Sequence, residues 1–250
     1  MIPYLSGRTF RAVAVLVLPL LAACAPPPAK EDIPDPLEPM NRGLYAVNVG
    51  FDKVVLKPIS DAMGDTGRGG FFRALGNFAD NLDTPTWVAN DLLQGRLLDA
   101  AQNTLRFGVN TVFGLGGILD PADDMGLYAR ETDFGATMYA YGVDEGWYLV
   151  LPFYGPSSTR DATGLLIDDV IDPMKLALPT SAVWLGTWAQ LADQFGSRAR
   201  HSETVDSLLY DSADGYAQAR LLYQQYRQHE LGQAPSEDSF IDPYEDSNGQ

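Results

Sequence analysis

Cysteine occurs once in this chain of 250 residues, at position 24, and histidine twice, at positions 201 and 229. A lone thiol rules out a disulfide framework, so stability has to come from packing. The two histidines, in polar helical surroundings, leave no ligand set at zinc spacing. Bases are scarce as well: 17 lysines and arginines face 33 acids, a net charge of −16. Nucleic-acid binding depends on cationic contacts to phosphate, and this balance excludes it. No Gly-x-Ser-x-Gly elbow occurs, because Gly155-Pro156-Ser157-Ser158-Thr159 lacks the second glycine. Gly114-Leu115-Gly116-Gly117 has neither the spacing of a dinucleotide loop nor a preceding strand, and reads as a helix stop and hinge. Asp133-Phe134-Gly135 matches a kinase triplet without its companion motifs. The acid pairs Asp123-Asp124 and Asp168-Asp169 read as surface in so acidic a chain. The sequence therefore points to no catalytic group, metal or cofactor.

What is present begins at the N-terminus. Arg8 and Arg11 precede an apolar stretch from Ala12 to Ala23, and Leu21-Ala22-Ala23-Cys24 has the small residues of a bacterial lipobox. The stretch holds about a dozen residues, short of the ~20 that a spanning helix needs. The expectation is a signal peptide over residues 1–23 and an acylated Cys24 that anchors the chain, each buried methylene contributing ~0.8 kcal/mol. Ala25 follows where an inner-membrane retention signal places Asp, a pattern similar to lipoproteins of the Gram-negative outer membrane. Cleavage removes two arginines and no acids, which leaves a net charge of −18. Attachment then falls to the acyl chains and to amphipathic helices, not to charge.

Pro26, Pro27, Pro28 and Pro34 make residues 24–34 a stiff tether. Residues 35–232 carry helical periodicity, and residues 233–250, with five acids and no base, are expected to be disordered. Asp35-Pro36-Leu37-Glu38 predicts a helix start with Asp35 as cap and Glu38 reaching back. An apolar stripe of Met40, Leu44, Val47, Phe51 and Val54 follows, beside a polar one of Asn41, Tyr45, Asn48 and Asp52. A solvated face is the plain reading of the polar stripe, although a lipid or water path wants the same residues. Phe72, Leu75, Phe78 and Leu82 mark another helix. Thr84-Pro85 restarts one that Gly95 closes, and Leu98, Leu105, Val109 and Val112 mark the next. Trp184 and Trp188 share a later face, and with Trp87 and Trp147 they are either core or interface anchors.

The period changes once, between Gly142 and Asp161. A short aromatic and β-branched run lies there among Gly142, Gly146, Pro152, Gly155 and Pro156, too short for a globular helix. It predicts a glycine-hinged hairpin or extended loop within a mainly α, ring-like bundle of amphipathic helices.

A set of short motifs in fixed order carries a family resemblance. It runs from Asp35-Pro36-Leu37-Glu38-Pro39-Met40-Asn41-Arg42 through Leu56-Lys57-Pro58, Asn81-Leu82, Leu93-Gln94-Gly95 and Arg106-Phe107 with Asn110. Gly114 to Gly117, Asp133-Phe134-Gly135, Leu151-Pro152 to Gly155-Pro156 and Arg160-Asp161 complete it. This series resembles the MlaA (VacJ) lipoprotein family. The resemblance implies an outer-membrane lipoprotein that maintains lipid asymmetry, passing stray outer-leaflet phospholipids through a polar channel. It implies a trimeric porin and the periplasmic carrier MlaC as partners. Gly142, Gly146, Trp147 and Gly155 would form a hinge beside the channel, Asn41 and Asn48 would line it, and Arg42, Lys57, Arg106 and Arg160 are candidates to meet a lipid phosphate. Structural ion pairing is the alternative for each cation. A porin-associated scaffold that moves no lipid is the alternative function, and a lipid hydrolase lacks a nucleophile. Where the family has Gly-Pro-Tyr, this chain has Gly146-Trp147-Tyr148, a change expected to loosen the turn.

Overall fold

The computed structural model describes residues 34–67 and 69–232. The expected signal peptide, Cys24, nearly all of the tether and the acidic tail lie outside these residues. Helices dominate, as the periodicity predicts. The elements in order are α1 (Glu38–Phe51), a π-helical turn π1 (Asp52–Leu56), α2 (Lys57–Gly67), α3 (Gly70–Leu93), α4 (Leu97–Val112), α5 (Pro121–Asp124) and α6 (Phe134–Ala140). Strands β1 (Tyr148–Leu151) and β2 (Gly155–Ser158) follow, then α7 (Thr159–Ile171), α8 (Pro173–Ala177), α9 (Thr180–Arg200), α10 (Ser202–Asp206), π2 (Ser207–Asp211) and α11 (Gly215–Glu230).

Helix ends follow local chemistry in most places. Asp120 accepts from the Asp123 amide with Pro121 next in the chain, and Ser158 and Asp133 cap α7 and α6 through the Asp161 and Ala136 amides. Gly95, at φ 75°, ends α3 with the Arg96 amide bonded back to the Asp91 carbonyl. Two expectations change. α3 runs unbroken through Pro85, which removes a single N–H from a helix of 24 residues while Thr84 Oγ1 bonds the Asp80 carbonyl. Asp35 is no cap: α1 starts after Leu37 without side-chain capping, and the Asp35 carboxylate instead accepts from Asn41 and Tyr216.

The packing contacts run in a closed circuit: α1 on β1, β1 on β2, β2 on α7, α7 on α6, α6 on α3, α3 on α9, α9 on α2, α2 on π1, and π1 on α1. This is the ring that the sequence suggests, with the two-stranded sheet as one link. The strands pair antiparallel, Tyr148 opposite Ser158 and Leu151 opposite Gly155. Pro156 therefore sits within β2 opposite Val150, not at the exit of the hairpin. Tyr148, Val150 and Tyr216 form a small apolar cluster, with Leu44, Tyr45 and Tyr223 against it. The rings of Tyr148 and Tyr216 meet edge to face at 5.9 Å.

Candidate functional site

The polarity of the circuit is reversed. Among the described residues, nineteen polar or charged side chains are buried against eight apolar ones, five of which are alanines. Large apolar side chains stand outward instead. On α4, Leu98 is 87% exposed, and Leu105 and Val112 are exposed too, while Asn103, Arg106 and Asn110 on the other face are buried. On α1, Met40 and Val47 are exposed, and Asn41 and, just beyond, Asp52 are buried. The polar stripe is thus not the solvated face. Trp184 and Trp188 on α9 face outward as well. Such wide apolar exposure marks a surface built to meet lipid or a partner. No helix among the described residues is long and apolar enough to cross a membrane.

Asn41 and Asn48 do not present free amides to a channel; they hold the hairpin. Asn41 Nδ2 donates to the Tyr148 carbonyl at 2.9 Å, and its Oδ1 accepts from the Val150 amide at 3.0 Å. One step along, Asn48 Nδ2 donates to the Leu151 carbonyl at 2.9 Å and its Oδ1 accepts from the Phe153 amide at 2.8 Å. Seven residues of helix advance ~10.5 Å, and three residues of strand ~10 Å, so the two amides keep register with the strand. With the Tyr148 amide bonded to the Pro34 carbonyl, the outer edge of β1 is paired without a third strand.

The hinge glycines differ among themselves. Gly142, Gly146 and Gly155 all have positive φ, at 80°, 77° and 103°. A Cβ on Gly142 or Gly155 would meet nothing within 4 Å, but one on Gly146 would lie 1.9 Å from Thr159 Oγ1. Trp147 is half exposed, and its backbone ties the turn down. Its amide, which proline would lack, donates to Thr159 Oγ1 at 3.1 Å, and its carbonyl accepts from the Thr159 amide at 2.9 Å. The indole itself faces out.

The four phosphate candidates are all spent on internal pairs. Arg42 binds Asp214 and Glu38, and Lys57 binds Asp206 at 2.5 Å. Arg106, buried, pairs with Asp120 and donates to the Leu127 carbonyl. Arg160, also buried, pairs with Asp161 and lies 3.9 Å from Glu145. Arg227 and Arg198, which the motifs did not single out, tie the circuit together. Arg227 grips Asp133 with two bonds of 2.7 Å and reaches Asp161. Burial alone would push the Asp161 carboxyl up, but Arg227 and Arg160 outweigh it and hold Asp161 below the usual range. Arg198 does the same work between Asp52 in π1 and Asp206 just before π2, and the Tyr210 hydroxyl of π2 donates to Asp52 as well. Asp168, expected at the surface, accepts from Asn90 and from the Phe134 amide, so the Asp133-Phe134-Gly135 triplet is a helix junction.

A cluster of carboxylates lies around α3 and α9, with Asp193 paired to Arg200 at 2.9 Å. Asp80 and Asp83 on α3, Glu131 before α6 and Asp193 on α9 lie close enough to repel one another. Asp80 reaches solvent, yet the surrounding protein, and then Glu131, Asp83 and Asp193, push its carboxyl up to about 7. Asp83 is pushed up to about 6 by burial, against a hydrogen bond from Gln190. Arg73, on the same face of α3 seven residues before Asp80, has no carboxylate at ion-pair distance among the described residues, nor has Lys53. Sequence reasoning missed both, since nothing in a sequence separates a paired cation from an unpaired one. Among the described residues no group of three acids, histidines or cysteines is placed to hold a metal ion.

Comparison with known proteins gives a consistent result. The family model for MlaA lipoprotein matches residues 33–230. The intermembrane phospholipid transport system lipoprotein MlaA of Escherichia coli (strain K12) is 32% identical over 221 residues, covering 86% of this chain and 84% of that protein. Its counterpart in Haemophilus influenzae is 36% identical over 137 residues, 54% of this chain and 55% of that one. A solved structure described as the structural basis for maintenance of bacterial outer membrane lipid asymmetry superposes with a TM-score of 0.69 at 30% identity. It covers 79% of this chain and 98% of its own.

Proposed function

The chain belongs to the MlaA lipoprotein family, and on that premise we propose that it maintains the lipid asymmetry of a Gram-negative outer membrane by letting stray phospholipids leave the outer leaflet. The reversed polarity supports this reading most directly. Outward apolar faces suit the hydrocarbon of a leaflet, and the enclosed polar face offers a headgroup a route that hydrocarbon does not. An acylated Cys24 would hold the circuit at the periplasmic face of the outer membrane. The lipid would pass to a soluble periplasmic carrier such as MlaC, and a trimeric porin would stand against part of the apolar belt. The protein acts as a passive conduit in this reading, with no chemical step of its own.

The hairpin is the part best suited to move. Its polar contact with α1 is made by two neutral amides bonded to backbone, which can be exchanged for water without parting an ion pair of the hairpin itself, although Asn41 also donates to the Asp35 carboxylate. The deciding experiment compares outer-leaflet phospholipid in cells with and without the gene. Accumulation on deletion, reversed by the wild-type chain, is expected. An unchanged leaflet overturns the conduit and leaves a porin-associated scaffold, which the exposed apolar belt would equally serve.

A further inference from the structure

A groove on the outside of the circuit, between α3 and α9, has a lining chemistry unlike that of the interior. Its volume is about 360 Å³, within the ~300–1,000 Å³ of small-molecule sites. Phe71, Ala74 and Phe78 of α3 and Leu185, Trp188 and Ala189 of α9 line it, with Ile118 from the loop after α4. The Trp188 indole N–H is the sole polar side-chain group in this lining. Close packing of the two helices sets the shape. A Cβ on Gly186 would lie 2.6 Å from Leu82, and one on Gly196 would lie 2.6 Å from Phe72. The helices therefore touch, and the small residues leave a trough over the seam. Ala189 is buried at its base, while Phe71, Leu185 and Trp188 stand exposed along its rim.

We propose that this trough holds one acyl chain of a membrane phospholipid, bound at the outer surface and separate from any lipid that travels along the polar interior. The lining selects against the alternatives. An extended peptide would bury its N–H and C=O groups with no partner to bond them. A helix, ~10–12 Å across, is too wide to enter so small a volume. A hydrocarbon chain carries no polar group and loses nothing on entry. Leu185 and Trp188 of the trough share an exposed apolar face of α9 with Trp184, so the lining runs on into outward apolar surface. The proposal shares with the function above only the placement of this face in a bilayer. It needs no transport.

The acylated full-length protein, with Trp87, Trp147 and Trp184 replaced by phenylalanine, makes Trp188 a reporter. The probe is a phosphatidylcholine brominated in mid-chain, titrated into detergent-held protein. Quenching of Trp188 that saturates near one lipid per protein is expected. Ala189→Leu fills the floor, and Phe71→Gln places an amide in the exposed wall at the cost of its edge-to-face contact with Phe72, so the melting temperature of each variant is measured beside its affinity. Each should weaken the apparent affinity at least tenfold. Quenching that rises without saturation, or is the same in both variants as in the parent, overturns the proposal and leaves the trough as ordinary lipid-facing surface. Trp188 shielded from the probe by a stably bound protein overturns it as well, in favour of a partner. Neither failure touches the leaflet measurement that tests the conduit.

Discussion

Two helices of this protein carry the same device with different chemistry. On α1, Asn41 and Asn48 grip the backbone of a hairpin. On α4, Asn103 and Asn110, again seven residues apart, grip the loop that follows. Asn103 donates to the Arg130 carbonyl and accepts from the Arg130 amide, and Asn110 accepts from the Ala122 amide. Between the α4 asparagines, Arg106 adds a buried ion pair with Asp120, which also accepts from Asn110. At the hairpin contact the gripping asparagines have no cation between them, and the one charge they touch is Asp35, which accepts from Asn41. Breaking a buried pair strands an ion, whereas parting amide from backbone exposes groups that water can serve. The α4 grip is built to stay, and the α1 grip is built to be released.

Four measurements would break or sharpen that contrast. Arg106→Ala should cost the most, ~3–5 kcal/mol in denaturant unfolding, because Asp120 is left without its cation. A loss below ~1 kcal/mol would show that the charge does not distinguish the two grips. Asn41→Ala should cost ~2–4 kcal/mol by leaving the Tyr148 carbonyl and the Val150 amide unpaired. Hydrogen exchange should then quicken at Val150 and stay unchanged at Ala122; equal acceleration at both would mean that the grips are coupled. Gly142→Ala should cost ~1 kcal/mol for its positive φ alone, and Gly146→Ala more, because of Thr159. Equal melting shifts for the two would remove Thr159 from the account. Asp80→Asn should have the smallest effect, a gain on the order of 1 kcal/mol at pH 8 after solvent screening. A carboxyl raised to about 7 binds its proton more tightly in the fold than in the unfolded chain. Its contribution therefore falls as pH rises from about 4 to 7, and the benefit of the Asp80→Asn substitution should vanish near pH 4. A gain that persists there would point to packing instead of charge.

The helices were legible from their periodicity, but which face turns inward was not. A moment reports that Leu98, Leu105 and Val112 oppose Asn103 and Asn110; it does not report the solvent on either side. The hairpin was legible because a change of period needs only local residues. Its grip was not, because Asn41 and its strand partner lie 107 residues apart. The phosphate candidates went astray for the same reason: Arg42 finds Asp214 and Lys57 finds Asp206 at separations of 172 and 149 residues. The expectation at Trp147 weighed the loss of proline's ring and not the N–H that tryptophan brings, which donates to Thr159. The family resemblance carried what periodicity left open, and it did so through the order of the motifs.

The closed circuit of packing also has a kinetic side. α3 and α4 are neighbours in sequence, as are α6, the hairpin and α7, so each group can form while the rest of the chain is still loose. The link between α1 and β1 cannot. The first helix lies about a hundred residues before its strand in the chain, and its apolar face must wait uncovered until that strand arrives. Closing the ring is then a late, long-range step, whose entropic cost rises only slowly with the length of the loop but delays the whole assembly. The same amides that make the hairpin releasable in the folded protein should make this closure the slow phase of its refolding.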